Sequence, residues 1–217
     1  NKWEATIQNL PKYDDNGNEI QYTVDEQNVE NNDLKFYEQT NKTGNIQEGY
    51  EITNTFKVPE DKVEITVNKE WEDNEIQAQR RPEKITINVK AENSDNNNPE
   101  EIIATYELNT QTETSYTFTN LKKYNSQGQE IEYKVEEIQQ VEGNPYFYEG
   151  TVGEIKNKET IQNDDGTETT KKEVTITNTF KRPEDKTEVT VTKIWEDNKD
   201  EAQKRPESIK LLLKNGN

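Results

Sequence analysis

Hydrophobic residues recur in this chain at every second position rather than at helical spacing. Four such runs are Val63, Ile65 and Val67; Ile85, Ile87 and Val89; Ile131, Tyr133 and Val135; and Val174, Ile176 and Phe180. A period of two, enriched in Val, Ile, Thr, Tyr and Phe, is typical of antiparallel strands that bury one face. Turn-forming clusters such as 14–17 and 125–128 separate the runs. The pattern therefore predicts an all-β chain built as antiparallel β-sandwiches.

The chain also repeats itself. Residues 52–62 return as 176–186 at an offset of 124, and residues 22–26 return as 133–137 at an offset of 111. Because the offset of 124 is larger than that of 111, the central repeat must contain extra loop length between these two blocks. The cluster 163–166 lies in that region and is expected to be a turn. The repeats predict three modules. A C-terminal part covers residues 1–56, a complete module covers 61–181, and an N-terminal part covers 187–217.

Both ends of the sequence continue the strand pattern. Residues 2–7 are predicted to be a strand, and residues 211–217 are predicted to be a strand running into a turn. If a tandem array of modules were cut within a hairpin, the two ends of the piece would carry complementary parts of a module. We therefore expect the chain to be a piece of a longer array.

Composition alone would predict disorder. Leu, Ile, Val and Phe together make up 41 of 217 residues, and the net charge is −18. Alternation resolves the conflict, because a strand with one buried face needs an apolar residue only at every second position.

Charge and residue usage exclude several functions. A net charge of −18 disfavours nucleic acid and anionic lipid as partners, and no apolar run approaches the length of a membrane helix. The chain has no Cys and no His, which leaves no thiol nucleophile, no disulfide, no His-based catalytic group and no ordinary zinc site. We expect no cofactor and no membrane insertion.

Three polar residues interrupt the apolar faces. Lys69 follows Val67 on the inward parity, Glu137 follows Val135, and Asn178 follows Ile176. Each alone is explained by a side chain that reaches solvent or ends a strand. The same three interruptions recur in the other repeats, at Lys193, Glu26 and Asn54 respectively.

An amine, a carboxyl and an amide in one core form a reactive set. Burial lowers the pKa of a Lys amine and raises that of a carboxyl, which favours a neutral nucleophile beside a general acid. Attack of the Lys69 amine on the Asn178 side-chain carbonyl would release ammonia and leave an isopeptide bond. Glu137 would polarise that carbonyl and shuttle protons. Contact between the groups would supply the effective molarity that the reaction needs.

The motifs that carry these residues resemble a known family. Lys69-x-Trp71 in the opening strand, Tyr133-x-Val135-x-Glu137, the closing Ile176-x-Asn178-Thr-Phe and the Leu-x-Lys-Tyr segments at 10–13 and 121–124 are similar to Cna B-type domains of Gram-positive surface proteins. The resemblance covers essentially the whole chain. It implies tandem immunoglobulin-like or prealbumin-like sandwiches, each with an intramolecular Lys–Asn isopeptide bond assisted by an acidic residue.

Matching motif by motif carries those roles to six residues. Lys69, Asn178 and Glu137 take them in the complete module; Asn54 takes the electrophile role and Glu26 the acid role in the first, and Lys193 the nucleophile role in the third. A Lys193–Asn54 bond would need both parts to come from the same molecule or from neighbouring ones. Glu136 and Asp25 fall on the outward parity and are not expected to be the acids.

The resemblance favours a structural function. We expect a stalk repeat of a bacterial adhesin or pilus-like protein, secreted and held at the cell surface through a wall-anchored parent. Its partners would be neighbouring modules and, through the parent, a host matrix protein. The linkers 57–61 and 181–185 are short and Pro-stiffened, as a rod requires.

Other functions remain open from the sequence. A ligand-binding module could use the aromatic residues 146–148, although packing of a loop onto the sandwich also explains them. A glycosidase would need a second inward carboxylate beside Glu137, and none stands out. Residues 14–19 offer oxygen ligands for calcium but fit a hairpin turn better. The expectation is that the chain is not an enzyme, apart from a single self-cross-linking step.

Overall fold

The structure is a computed structural model that describes residues 2–27, 33–96, 98–138, 147–200 and 203–214. It divides into two units, Asn1–Pro183 and Glu184–Asn217. The larger unit covers the segments predicted to be the first part-module and the complete module, and the smaller unit covers the segment predicted to be the last part.

The larger unit is built almost entirely of strands. A short 3-10 helix, Asp33–Phe36, precedes β1 and a four-residue helix, α1 (Glu75–Ala78), follows β3. The strands are β1 (Tyr37–Asn45), β2 (Gly49–Phe56), β3 (Lys62–Glu72), β4 (Lys84–Ala91), β5 (Ile102–Asn109), β6 (Ser115–Lys122), β7 (Tyr133–Ile138), β8 (Tyr148–Val152), β9 (Lys156–Gln162) and β10 (Glu168–Phe180).

Two sheets form the complete module. One has the order β6-β3-β10-β8, with β9 pairing the other part of β10, and the second has the order β5-β4-β7. Their alternate residues point inward to one core, as the period of two predicted. Val63, Ile65, Val67, Ile87, Val89, Val174 and Ile176 are all buried. The prediction of an all-β sandwich is confirmed.

One strand pairing departs from the antiparallel pattern. The first strand of the module, β3, and the last, β10, lie side by side in parallel, with Lys69 opposite Ile176 in the register. A parallel pair needs a long crossover, and here the rest of the module supplies it. Strands far apart in sequence thus become neighbours, which alternation within each strand could not reveal.

Turns occupy the predicted places. Asn163–Gly166 connects β9 to β10, and Gly166 takes a φ of +84°, a left-handed conformation that glycine adopts without steric cost. In the first module, the Asp14 carboxylate accepts hydrogen bonds from the backbone N–H groups of Asn16 and Asn18, and Tyr13 bridges to Glu19. Segment 14–19 is therefore the expected hairpin turn.

The two terminal strand predictions are wrong for this structure. Residues 2–7 and 211–214 carry no strand, and their side chains are open, with Trp3 93% and Leu213 80% exposed. Their equivalents in the complete module, within β6 and β4, are held by neighbouring strands. A strand needs such a partner for its backbone groups, and none of the described strands pairs with either segment.

The smaller unit has turns and extended segments but no strand among its described residues. Its best-defined contact is an ion pair between Arg205 and Asp197, beside the ring of Trp195. No helix of the described ranges is long and apolar enough to cross a membrane.

Replacing a core isoleucine tests the assignment of the buried face. Ile176→Ala should lower the free energy of unfolding by about 2–5 kcal/mol, because Ile176 is fully buried between the sheets. Ile161→Ala is the matched control, since Ile161 is 37% exposed on the β9 hairpin and should cost much less. Urea unfolding followed by circular dichroism measures both. Equal costs would contradict the proposed core.

Candidate functional site

The parallel pair β3–β10 brings Lys69 and Asn178 together. Asn178 lies two residues beyond Ile176, the register partner of Lys69, so both side chains project from the same face of adjacent strands. Both are buried, with Lys69 5% exposed and Asn178 fully enclosed. The inward placement predicted by the alternation of β3 and β10 is therefore observed.

Glu137 reaches the same point from the facing sheet. It lies on β7, paired with Ile87 of β4, and its side chain is 3% exposed. Its Oε1 accepts a hydrogen bond from Asn178 Nδ2 at 2.6 Å, while its Oε2 lies 3.7 Å from Lys69 Nζ. One carboxyl thus contacts both the amine and the amide. The three residues named from the sequence form a single cluster across the core.

Burial changes the proton affinity of the amine. Desolvation lowers the pKa of Lys69 to about 8, and the neighbouring Glu137 carboxylate opposes this effect without cancelling it. The ammonium donates to the carbonyl oxygens of Glu70 at 2.9 Å and Ile176 at 3.3 Å. At pH 7 roughly a tenth of the amine is therefore neutral, far more than at the unperturbed pKa of 10.5, and the neutral amine is the nucleophile.

The amide of Asn178 is satisfied on one side only. Its nitrogen donates to Glu137, whereas its Oδ1 is buried without a hydrogen-bond donor among the described residues. Glu137 was expected to lie against the carbonyl oxygen, but its observed contact is with the nitrogen. In an acyl transfer that nitrogen is the leaving group, so the carboxyl is positioned to protonate it.

An aromatic ring and an ion pair form a cover over the amine that was not predicted from the sequence. Trp71 holds its ring centroid 4.2 Å from Lys69 Nζ, and the Arg81 guanidinium lies 4.9 Å from the same ring. Asp73 binds Arg81 through two hydrogen bonds of 2.8 and 2.6 Å and accepts another from Tyr148. The Lys69 side chain is fully enclosed, with Trp71 against its amine and the Arg81–Asp73 pair beside the same ring.

A sequence feature could have identified this cover. Asp197 and Arg205 repeat Asp73 and Arg81 at the offset of 124, and they form the same ion pair in the smaller unit. The Arg81 guanidinium holds the pKa of Asp73 below its usual range, so the pair stays charged over the site. The Asp and the Arg recur eight residues apart in both copies, and this recurrence could have predicted the ion pair.

The first module assembles part of the same set. Asn54 Nδ2 donates to both carboxylate oxygens of Glu26, at 2.9 and 2.8 Å. Lys193 lies in the smaller unit, exposed, with its amine 4.0 Å from the Trp195 ring centroid. The acid–amide contact thus forms within one half of a module, whereas a Lys193–Asn54 bond stays a prediction.

The outward neighbours of the acids bind other partners. Glu136 pairs with Lys90 at 2.8 Å, and Asp25 pairs with Lys42 at 2.5 Å. Neither carboxylate is buried as deeply as that of Glu137, with exposed side-chain fractions of 38% and 78%. Their position agrees with the parity that set them apart from the acid role.

Two residues of the aromatic segment 146–148 pack against neighbouring side chains. Tyr148 is 6% exposed and donates to Asp73, and Phe147 stacks on Phe180 with ring centroids 5.9 Å apart. Tyr146 lies outside the described residues. The interpretation of Tyr148 as an exposed ligand contact is therefore wrong, because its hydroxyl is bound within the cover of the site.

Comparison with known proteins decides the family. The family model for the Cna protein B-type domain matches residues 1–55, 65–179 and 189–217. The chain belongs to the Cna B-type domain family. A curated relative, a collagen adhesin of Staphylococcus aureus, is 33% identical over 210 residues; these cover 97% of this chain and 14% of the relative's length.

Two solved structures also match this chain. Two B repeat units of the collagen-binding protein of S. aureus are 28% identical, covering 91% of this chain and 42% of the other at a TM-score of 0.35. The major pilin of Streptococcus pyogenes is 15% identical, covering 64% and 53% at a TM-score of 0.33. Because both TM-scores are below 0.5, the family assignment depends on the sequence matches.

The lowered pKa of Lys69 predicts a pH-dependent stability in a B-type module that cannot cross-link. Below about pH 8 the buried amine is charged in both states, and its burial destabilises the fold. Between about 8 and the unfolded value of 10.5 the unfolded chain binds more protons, so stability should rise with pH.

Asn178→Ala and the double variant Asn178→Ala/Lys69→Met isolate this effect, since they differ only in the titrating amine. Their difference in unfolding free energy should change in favour of the lysine form from pH 8 to 10.5. A difference that is constant across this interval would show that the amine is not desolvated.

Proposed function

We propose that this chain is a stalk segment of a bacterial cell-surface adhesin or pilus-like protein, with its complete module locked by a Lys69–Asn178 isopeptide bond. The observation that carries the proposal is the Glu137 carboxyl, which contacts the amine and the amide at once inside a closed core. A buried charged cluster is a costly way to stabilise a sandwich, whereas it suits a reaction that removes the charges.

The reaction balances without a cofactor. The neutral Lys69 amine attacks Cγ of Asn178, and the new C–N bond takes the place of the bond to Nδ2. A proton leaves the attacking nitrogen for Glu137, and Glu137 delivers a proton to Nδ2, which departs as ammonia. The product is a secondary amide, with no oxidant or reductant consumed. The step happens once per molecule, so the module is not a turnover enzyme.

The position of the bond explains its value to a stalk. It would join the first and last strands of the module, so tension entering by β3 and leaving by β10 would bypass the rest of the fold. By the loop-entropy treatment used for disulfides, a cross-link closing about 100 residues contributes roughly 4.7 kcal/mol. That is comparable to the stability of a small domain. The chain has no Cys, so such a link would also be insensitive to reduction.

Family membership supports the location and partners. The curated relative is a collagen adhesin, and the chain corresponds to only 14% of its length. We infer that the parent of this chain is a secreted, wall-anchored surface protein of a Gram-positive bacterium. Within it, this segment would contact neighbouring modules, while another region binds a host matrix protein.

The partial modules would take the same roles. Glu26 already holds the amide of Asn54, as Glu137 holds that of Asn178. We infer that Asn54 would react with the lysine of an opening strand. Lys193 would react with an asparagine that an acidic residue holds. Asn54 and Lys193 would bond either to each other or to residues of flanking modules.

Intact mass of the isolated chain tests the bond. The mass should be lower than that calculated from the sequence by one ammonia, or by two if Lys193 also reacts with Asn54. Glu137→Gln should abolish the central loss, because the amide cannot shuttle a proton. Glu136→Gln is the matched control, since Glu136 faces outward, and it should leave the loss intact. Loss of ammonia that persists in Glu137→Gln would contradict the assigned role.

Pulling on single molecules tests the stalk function. With the bond in place, the 109 residue steps from 69 to 178 should never add to the extension. In Lys69→Met, unfolding of the module should release that segment, about 360–390 Å of extended chain. If the unaltered chain releases the same length, the module is not mechanically locked.

A further inference from the structure

The first module contacts the complete one through a small aromatic joint. The ring of Phe36 packs edge-on against Tyr124, with centroids 5.1 Å apart, and Lys35 Nζ donates to the Tyr124 hydroxyl at 2.7 Å. Phe36 belongs to the end of the first module, and Tyr124 opens the turn after β6 in the complete module. This contact therefore joins consecutive modules.

Gly128, in the same turn, allows the close approach. A Cβ at this position would lie 3.2 Å from the Phe36 ring and 3.3 Å from Phe56, tighter than ordinary packing. Tyr124 is 9% exposed, whereas Tyr13, its equivalent at the offset of 111, is 55% exposed. The two phenylalanine rings thus cover a turn whose counterpart in the first module is open.

The phenylalanine pair is repeated at the end of the complete module. Phe36 and Phe56 stack at 6.4 Å and 9°, and their equivalents Phe147 and Phe180 stack at 5.9 Å and 11°. The same backbone bonds hold each pair, from Lys57 N–H to Phe36 O and from Lys181 N–H to Phe147 O, both 2.7 Å. Each module thus ends in the same aromatic structure.

The receiving turn is repeated as well. Asp14 and Asn125 occupy equivalent positions, and the side chain of each accepts hydrogen bonds from the backbone two and four residues later. Gly17 and Gly128 follow with φ of +80° and +77°. Gly17 differs in one respect, since a Cβ there would meet nothing within 4 Å.

The linker after the joint is anchored. Asp61, 5% exposed, accepts the N–H of Glu168 on its side chain at 2.9 Å and the N–H of Lys123 on its backbone carbonyl at 2.9 Å. The chain therefore enters the complete module at a fixed point, directly beside the turn that receives Phe36. Little free linker remains to allow independent rotation.

We propose that the stacked phenylalanine pair at the end of each module docks on the Tyr-x-x-x-Gly turn of the following module, so that Phe147 and Phe180 form a docking surface for another B-type module. The proposal takes the array from the proposed function but does not depend on the Lys69–Asn178 bond. The glycine of the turn would then have two functions: it adopts the left-handed backbone conformation, and it leaves room for the rings.

Distance measurements between spin labels test the observed joint. The chain has no Cys, so Thr43→Cys in β1 and Asn157→Cys in β9 give one label on each side of it, both at exposed positions. The 217-residue chain should show one narrow distance distribution. Phe36→Ala should broaden it several-fold, while Phe147→Ala, the equivalent change at the other end, should leave it narrow.

A glycine pair provides a second, independent arm. Gly128→Ala should broaden the distribution, whereas Gly17→Ala has the same left-handed backbone but open space, and should not. A broad distribution in the unaltered chain, or an unchanged width in both Phe36→Ala and Gly128→Ala, would overturn the proposal. Intact mass of each labelled chain reports the cross-link separately, so failure of the bond and failure of the docking are distinguishable.

Recurrence is tested by extending the array. Appending a second copy of residues 94–217 after residue 217 continues the offset of 124 and supplies the next receiving turn. With spin labels on the two sides of that second joint, the effects of the two phenylalanine substitutions should be reversed. Phe147→Ala should now broaden the distribution and Phe36→Ala should leave it narrow. If Phe147→Ala has no effect there, the docking does not recur.

Discussion

An amine and a carboxyl buried together in a thin apolar core are the constraint on which this module depends. Removing two charges from water costs several kcal/mol for each ion, and their mutual attraction recovers this only with close contacts. Lys69 lies 3.7 Å from Glu137 and is sealed by Trp71, while Asn178 donates to the same carboxyl. Conversion to an amide would remove this cost permanently and leave a bond in place of an ion pair.

The rest of the architecture makes that cluster feasible. Parallel pairing of β3 with β10 places the amine beside the amide, and the facing sheet contributes the acid through β7. The strongly acidic surface and the small apolar fraction suit a thin sandwich that carries a covalent link. The aromatic joint with the first module lies at the start of β3, and the repeated phenylalanine pair lies at the end of β10. Load passing between modules would therefore enter through β3 and leave through β10.

Sequence pattern predicted the inward set and not its surroundings. Because side chains alternate along a strand, Lys69, Glu137 and Asn178 could be assigned to the core from their neighbours alone. Contact between the opening and closing strands was predicted from the reactive set and the family resemblance. Their parallel pairing was not, because the pairing of strands depends on tertiary packing. Arg81 packs on Trp71 from beyond a turn and a helix, so no strand periodicity relates the two residues. The terminal strands at 2–7 and 211–214 failed because local pattern cannot supply a missing neighbour.

A peptide map of the protease-digested chain tests the central claim most directly. If the cluster reacts as we propose, the peptides containing Lys69 and Asn178 will be recovered as one branched species whose fragmentation places the link between those two side chains. Recovery of both peptides separately, with a free Lys69 amine and an intact Asn178 amide, would contradict the account.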